Sequence, residues 1–175
     1  MKLTLQEIKK KYPTINVNDR GGTDSFQENF LIIERDPLAI IIKHPTEDLY
    51  LMAKWKKSTW YGFVTGGIEE GDTLEETVKK EICEETGYKN VGKIIKTDEV
   101  SHGLFFHVIK KVNRLAHYHL VLTKLENLEQ DEVSEEEKSI ADFVWVPALE
   151  VMETLTEKDM KSLWRVYREK TGILE

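Results

Sequence analysis

Alternating and β-branched apolar segments recur along the chain and predict a series of short strands. Pro37 separates the first two segments, and a polar turn at residues 44–48 joins the next pair into a hairpin. The predicted strands are residues 30–34, 38–43, 49–54, 60–64, 91–99, 103–112, 117–125 and 142–146. Between them, the polar stretch 14–27 and the acidic stretch 126–138 are predicted to be loops.

Apolar residues at helical spacing, bounded by capping residues, predict the helices. Asp72 and Thr73 are each followed three residues later by a glutamate, so either can begin the longest helix, and Gly87 ends it. The other predicted helices are residues 4–11, 149–155 and 157–170. Many strands with few helices indicate an α+β fold, and no repeat or linker divides the 175 residues.

Residues 66–88, GGIEEGDTLEETVKKEICEETGY, place a glycine-rich loop before a helix that carries three close carboxylates. Glu81, Glu84 and Glu85 are spaced i, i+3 and i+4, and therefore share one helix face. Such carboxylates repel one another unless a cation lies among them, and their hard oxygen atoms suit Mg²⁺ with substrate phosphate oxygens. A solvated acidic face is the ordinary alternative, but the glycine loop and the spacing favour a pyrophosphate-cleaving site.

Charge and composition narrow the possible partners. Lys and Arg total 25 against 32 Asp and Glu, and the resulting net charge of −7 argues against general binding to nucleic acid. The single cysteine, Cys83, excludes an internal disulfide. We find no signal-peptide pattern at the start and no apolar run long enough for a membrane, so we expect a cytoplasmic protein.

The spacing of residues 66–88 resembles the signature of the Nudix hydrolase family. Gly66, Glu81, Ile82, Glu84, Glu85 and Gly87 stand at the family's offsets. Three positions depart: Asp72 replaces a glutamate, Lys80 an arginine and Tyr88 an aliphatic residue. The resemblance implies the Nudix fold, a mixed β-sheet sandwiched between α-helices. It also implies one Nudix domain over residues 1–175, with residues 1–29 as an N-terminal helix and loop extension.

The resemblance implies roles for the motif residues. Glu81, Glu84 and Glu85, with the carbonyl of Gly66, would hold Mg²⁺, for which Mn²⁺ could substitute. Glu81 and Glu84 would be catalytic, and Lys80 would orient Glu81 in place of the usual arginine. In the family, the general base lies in the motif or on a distant loop. The distant candidates here are Glu135, Glu136 and Glu137, for each of which a solvated loop position is the plainer interpretation.

The substrate is a nucleotide-derived small molecule if the resemblance holds, but its binding residues are poorly marked in the sequence. Weak candidates are Trp60 and Tyr61, on which a base or sugar could stack, and the charged or polar Lys54 and His119. Core packing accounts for the aromatic residues and a solvated turn for Lys54 equally well. The identity of the substrate stays open, as does the oligomeric state, although many family members are dimers.

Two functions of different classes follow. The first is a Mg²⁺-dependent Nudix hydrolase that cleaves the pyrophosphate bond of a nucleoside diphosphate linked to another moiety. The second is a Nudix-fold binding or regulatory module with weak or no catalysis, which the departures at Asp72 and Lys80 motivate. Residues 34–88 also resemble Nudix modules fused to some bacterial leucyl-tRNA synthetases, which would link such a module to tRNA aminoacylation.

Overall fold

A mixed β-sheet with helices on both faces forms the body of the protein. We describe it from a computed structural model, which covers residues 4–170. In chain order its elements are α1 (Leu5–Lys11), β1 (Asn16–Val17), β2 (Ile32–Arg35), β3 (Pro37–Lys43), β4 (Leu49–Trp55), β5 (Tyr61–Gly62), β6 (Val64–Gly67), α2 (Leu74–Thr86), β7 (Val91–His107), β8 (Val112–Leu125), α3 (Glu135–Lys138), β9 (Ala141–Pro147), α4 (Ala148–Thr154) and α5 (Lys158–Glu169).

Strand β8 joins the antiparallel and parallel parts of the sheet. It pairs antiparallel with β7, and parallel with both β2 and β3. β2 and β3 follow one another in the same register, since Arg35 pairs with Ala116 and Leu38 with His119. Strand β6 pairs with β3 and brings Gly66 beside Leu38, while β4 pairs with β3, β5 and β9. The sheet is therefore mixed, as predicted.

Side chains along the central strands point alternately to the two faces of the sheet, and they form two separate cores, one on each face. Ile40 packs with Val78 and Ile82 of α2 on one face. Its neighbour Ile41 packs on the other face in the cluster that includes Trp164 of α5. Burying each of these large apolar side chains stabilises the fold by roughly 1.5–3 kcal/mol. The predicted α+β sandwich is confirmed by this arrangement.

The N-terminal segment packs on the sheet through its own small core. Helix α1 begins after Thr4, whose side chain caps it, and buries Ile8 in a cluster with Leu104 and Leu115. The predicted loop that follows contains one short strand, β1, which pairs in parallel with β7. The first three residues of the predicted extension lie outside the described part of the chain.

The predictions for the longest hairpin were wrong at its turn and in its first strand. Instead of separate strands at 91–99 and 103–112, β7 runs without a break from Val91 to His107. Register shifts between Lys96 and Val100 absorb the irregularity that resembled a loop in the sequence. The turn follows at residues 108–111, where Lys111 takes a positive φ of 52°. No glycine or proline marks this turn, which is why β8 was predicted to begin five residues late.

Two shorter corrections concern the region around the motif. The predicted strand 60–64 is divided into β5, which pairs with β4, and β6, which continues through Gly67 and pairs with β3. The predicted acidic loop contains the short helix α3, which Ser134 caps by accepting a hydrogen bond from the Glu137 backbone N–H. Across residues 4–170, no helix combines the length and apolar character needed to span a membrane.

Candidate active site

Helix α2, which carries the motif glutamates, is defined at both ends by its own residues. Thr73 is its N-cap: its hydroxyl accepts from the Glu76 backbone N–H, and the Glu76 carboxylate accepts from the Thr73 backbone N–H. Gly87 ends the helix with a left-handed φ of 79°. Because Val78 and Ile82 are buried against the sheet, the rotation of the helix is set, and the glutamates lie along its edge.

Gly66 lies directly against the carboxylate of Glu81. A Cβ atom on Gly66 would clash with the Cγ and Cδ atoms of Glu81, whereas one on Gly67 would meet no atom within 4 Å. The pairing of Gly66 with Leu38 in the sheet fixes the loop side of this contact. The glycine is needed because only a residue without a side chain lets the backbone approach the carboxylate so closely.

Burial and mutual repulsion disfavour the charged forms of two motif glutamates. Burial, followed by the charge of Glu84, raises the pKa of Glu81 to about 7. Burial also leads the causes at Glu85, whose pKa rises to about 9 with added repulsion from Glu81, Glu137 and Glu84. The Oε2 atom of Glu85 is buried and finds no hydrogen-bond partner among residues 4–170. An unpartnered carboxylate oxygen is costly to bury, so Glu85 lacks the hydrogen-bond donor or cation that its burial calls for.

A divalent cation fits the chemistry of this group of residues. Carboxylate oxygens beside an accessible backbone carbonyl are the donors that Mg²⁺ prefers, and a cation would offset both the burial and the repulsion. In the conformation described, no three histidine, cysteine or acidic side chains of residues 4–170 are arranged to hold a metal ion. Glu84 is exposed to solvent, and Glu81 and Glu85 are partly buried. The three glutamates therefore lie along one helix edge, where their charges repel one another.

Lys80 interacts mainly with a residue that the sequence analysis did not pair with it. Its Nζ donates to Glu69 Oε2 at 2.9 Å, which joins helix α2 to the glycine-rich loop. The hydrogen bond from Lys80 lowers the pKa of Glu69. Lys80 also acts on Glu81 through its charge, but this effect is smaller than burial or the repulsion from Glu84. The direct contact of Lys80 is thus with the loop and not with Glu81.

The acidic segment approaches α2 through one of its three candidate residues. Glu137 is partly buried, and both burial and the nearby Glu136 and Glu84 raise its pKa. It also adds to the repulsion that raises the pKa values of Glu81 and Glu85. Glu135 instead forms an exposed ion pair with Lys138 at 2.7 Å. Helix α3 therefore turns Glu137 toward the motif, while Glu135 and Glu136 remain exposed to solvent.

A cavity of about 670 Å³ opens beside the glycine-rich loop. Gly66, Gly67 and Ile68 form one part of its wall, and Trp55 and Trp60 form another. The two tryptophan rings stack with their centroids 5.2 Å apart and an interplanar angle of 15°. A cavity of this size, aromatic on one side and adjacent to the carboxylates, can accommodate a nucleoside-sized group.

Only one of the weak substrate-binding candidates belongs to this cavity. Trp60 lines it, whereas the described lining residues do not include Tyr61, Lys54 or His119. Tyr61 packs against the core and accepts a backbone hydrogen bond from Thr156. His119 faces the opposite side of the sheet from the cavity floor, where its Nε2 lies 3.4 Å from Asp36. Tyr61, Lys54 and His119 therefore have no position in this cavity.

The sequence analysis missed the residues that form the floor of the cavity. They come from β2, β7 and β8 and include Arg35, Phe105, His107 and Arg114. Each lies far from the motif in the sequence, and the sheet brings them together. The alternation of β8 could have indicated that Arg114 lies on one face with Ala116, but nothing in the sequence pairs β8 with β2 in parallel.

The family of the protein can be assigned from a comparison with known domains. The model of the NUDIX domain matches residues 34–169, which include strands β3 to β9, the motif helix and the two C-terminal helices. The chain belongs to the Nudix family. Most of the N-terminal segment, with α1 and β1, precedes the matched region of this Nudix protein. No curated protein matches the chain significantly.

Solved structures share the fold at low sequence identity. The E. coli dihydroneopterin triphosphate pyrophosphohydrolase superposes with a TM-score of 0.56 at 14% identity, over 75% of this chain and 93% of that one. A Listeria monocytogenes protein described as a Nudix hydrolase gives 0.54 at 19%, over 77% and 92%. A Nudix hydrolase from Nitrosomonas europaea gives 0.53 at 14%, over 78% and 90%. The predicted family and fold are confirmed, and the assignment supports a Nudix-type hydrolase.

Proposed function

We propose that this Nudix protein is a Mg²⁺-dependent hydrolase. It would cleave the pyrophosphate bond of a nucleoside diphosphate linked to another moiety. The observation that carries the proposal is the buried, unpartnered Oε2 of Glu85 beside Glu81, whose carboxylate rests against Gly66. Burying two carboxylates that repel one another is unfavourable, and a bound cation would offset that repulsion.

The residues that would hold the cation are Glu81, Glu84, Glu85 and the carbonyl of Gly66. When bound, Mg²⁺, or Mn²⁺ in its place, would neutralise phosphate charge and lower the pKa of a bound water molecule. The chain itself contributes position: the sheet holds Gly66, and the capped helix α2 holds the glutamates. The cavity with Trp60 in its wall would receive the rest of the substrate and exclude water from it.

Glu137 is our proposed general base. A base must lie within hydrogen-bond reach of the attacking water, directly or through one further water. Carboxylates that bind a cation lose basicity, whereas Glu137 approaches the motif from α3 and is not part of the predicted cation site. Burial and neighbouring carboxylates raise its pKa, which makes it a stronger proton acceptor than an ordinary glutamate. Glu81 and Glu84 remain the alternatives within the motif.

Lys80 would act on the reaction through the loop. Its ion pair with Glu69 joins the first turns of the glycine-rich loop to the middle of α2. This contact would keep the loop backbone near Gly66 in position as substrate binds. A lysine can make it with a single donor, so the arginine usual in the family is not required for this particular contact.

The proposal is tested by assaying nucleoside diphosphate compounds, such as ADP-ribose, dinucleoside polyphosphates and nucleotide sugars, with Mg²⁺ or Mn²⁺. We expect the protein to release a nucleoside monophosphate. This release should stop when EDTA is added, and it should be absent in the variants Glu84→Gln and Glu85→Gln. Glu75→Gln is the matched control, because Glu75 is exposed on the same helix away from the cluster. Turnover that persists in EDTA, or in the two cluster variants, would contradict the proposal.

One observation favours a binding module as the second candidate. Lys80 is engaged by Glu69 instead of Glu81, so it does not orient a motif glutamate directly. Such a module would bind nucleotides in the same cavity without turning them over. Saturable nucleotide binding together with no turnover at high Mn²⁺ would favour the module over the hydrolase.

A further inference from the structure

We propose that Arg35 and Arg114 form an anion subsite on the cavity floor, which receives a phosphate or carboxylate of the substrate remote from the scissile pyrophosphate. This inference rests on the proposed function, because it assigns the class of substrate to the same cavity. The substrate would then carry at least one anionic group in addition to its pyrophosphate.

Strand register places the two guanidinium groups on one face of the sheet. In the parallel pairing of β2 with β8, Ile33 is opposite Arg114 and Arg35 is opposite Ala116. Residues two apart on a strand point to the same face, so Arg35 and Arg114 are diagonal neighbours there. Phe105 of β7 pairs with Arg114 from the other side. The cavity is lined by all four of these residues: Arg35, Phe105, Arg114 and Ala116.

Neither arginine has an acidic partner in the described part of the chain. No ion pair among residues 4–170 includes Arg35 or Arg114. The acids adjacent to Arg35 in sequence also line the cavity, but each contacts a histidine: Glu34 lies 2.8 Å from His117 and Asp36 lies 3.4 Å from His119. The cavity floor therefore keeps two guanidinium groups close together, neither of them in an ion pair with the acids that share the cavity.

The environment of Arg114 makes this arrangement unfavourable unless an anion is bound. Arg114 is partly buried, and burial followed by the charge of Arg35 lowers its pKa. His107 also lines the cavity, and burial followed by the charge of Arg114 lowers its pKa as well. Guanidinium groups match phosphate and carboxylate geometry with paired hydrogen bonds, so such an anion would relieve the repulsion.

The subsite is too far from the motif to hold the scissile group. Gly66 pairs with Leu38, and Leu38 with His119, so Gly66 lies level with His119 across the sheet. Arg114 is five residues earlier on β8, a separation of roughly 16 Å along the strand, and Arg35, opposite Ala116, is three residues or roughly 10 Å from the same level. A pyrophosphate group at Gly66 does not span that length. The anion bound by the arginines must therefore belong to another part of the substrate.

The wall between the two ends suits a planar ring. The stacked Trp55 and Trp60 both contribute, and their Nε1 atoms are buried with no hydrogen-bond partner among residues 4–170. Because these nitrogen atoms are inaccessible, the wall offers ring surface and not hydrogen bonds, which suits a planar heterocycle. A nucleoside lying along this wall would connect a pyrophosphate near Gly66 with an anionic substituent near Arg114.

The test compares two dinucleotides that differ by one phosphate, NADPH and NADH, binding to the metal-free protein in EDTA. Because the additional phosphate would accept charge-assisted hydrogen bonds from the two arginines, we expect NADPH to bind at least about tenfold more tightly. Arg114→Gln and Arg35→Gln should each reduce this preference severalfold. Arg165→Gln, which changes an exposed arginine on α5, should leave it unchanged.

Equal affinity for the two dinucleotides, or a preference that survives both substitutions, would overturn the subsite. Equal weakening of NADPH and NADH by Arg114→Gln would also overturn it, because the arginines would then bind the shared pyrophosphate. Since these measurements use no metal and no turnover, a failed hydrolase assay would leave the subsite standing. Conversely, turnover without any phosphate preference would refute the subsite alone. Thermal unfolding of each variant establishes that it is folded.

Discussion

The replacement Asp159→Asn should make the protein more stable at neutral and alkaline pH. Asp159 lies at the start of α5, where its Oδ1 accepts from the Met160 backbone N–H at 2.7 Å. It is 7% exposed, and burial followed by the charge of Glu157 raises its pKa to about 7. The folded protein thus holds a proton that the unfolded chain releases near its ordinary pKa of 3.8.

The sign and size of the effect follow from that difference. When folding raises the pKa of a carboxyl group, ionisation of that group favours the unfolded chain. The free energy of unfolding therefore falls as pH rises from about 4 to about 7. A shift of about three pKa units corresponds to about 4 kcal/mol, lost progressively across this window. Asparagine keeps the acceptor for the Met160 N–H and carries no charge, so it should not show this loss.

The assay is urea unfolding of both proteins in EDTA at several pH values from 4 to 8. The difference between the variant and the parent protein should grow with pH and level off above pH 7. Asp98→Asn, at an exposed position of β7, is the control and should give a constant difference. Curves for Asp159→Asn and the parent that stay parallel across the range would refute the reasoning.

Three further predictions concern the motif and α3. Gly66→Ala should lower kcat/KM about 100-fold, because its methyl group displaces the Glu81 carboxylate, whereas Gly67→Ala has open space and should retain activity; similar losses in both would refute this. Lys80→Arg should keep activity and Lys80→Ala should lower it by less than about fivefold, since the ion pair is exposed. Equal kcat values in the parent protein and both variants would show that Lys80 has no role in the reaction. Glu137→Gln should lower kcat and change the acidic limb of its pH profile, and Glu136→Gln should do neither; an unchanged limb in Glu137→Gln would place the base in the motif.

The motif helix was the most predictable part of the protein because its signals are local. The apolar spacing of Val78 and Ile82, the capping pair of Thr73 and Glu76, and the terminal Gly87 all act within one stretch of the chain. Alternating and β-branched segments likewise indicated most of the strands. These features depend on neighbours within a few residues, so a single sequence contains them.

What the sequence did not indicate depends on contacts between distant segments. The parallel pairing of β2 with β8 joins Arg35 to Ala116, and only this pairing brings Arg35 and Arg114 to one cavity. The continuous strand β7 was obscured because register shifts interrupt its alternation. The partner of Lys80 depends on how the loop around Glu69 folds back on α2, which no spacing rule specifies.

The measurement that tests the central claim most directly is Mn²⁺ binding followed by electron paramagnetic resonance of the free ion. The account predicts saturable binding by the parent protein at neutral pH, with affinity reduced at least about tenfold in Glu85→Gln, since a carboxylate ligand contributes about 1.5 kcal/mol or more. Glu75→Gln should bind as the parent protein does. Mn²⁺ binding that is absent in the parent protein, or unchanged in Glu85→Gln, would contradict the claim that these glutamates form a cation site.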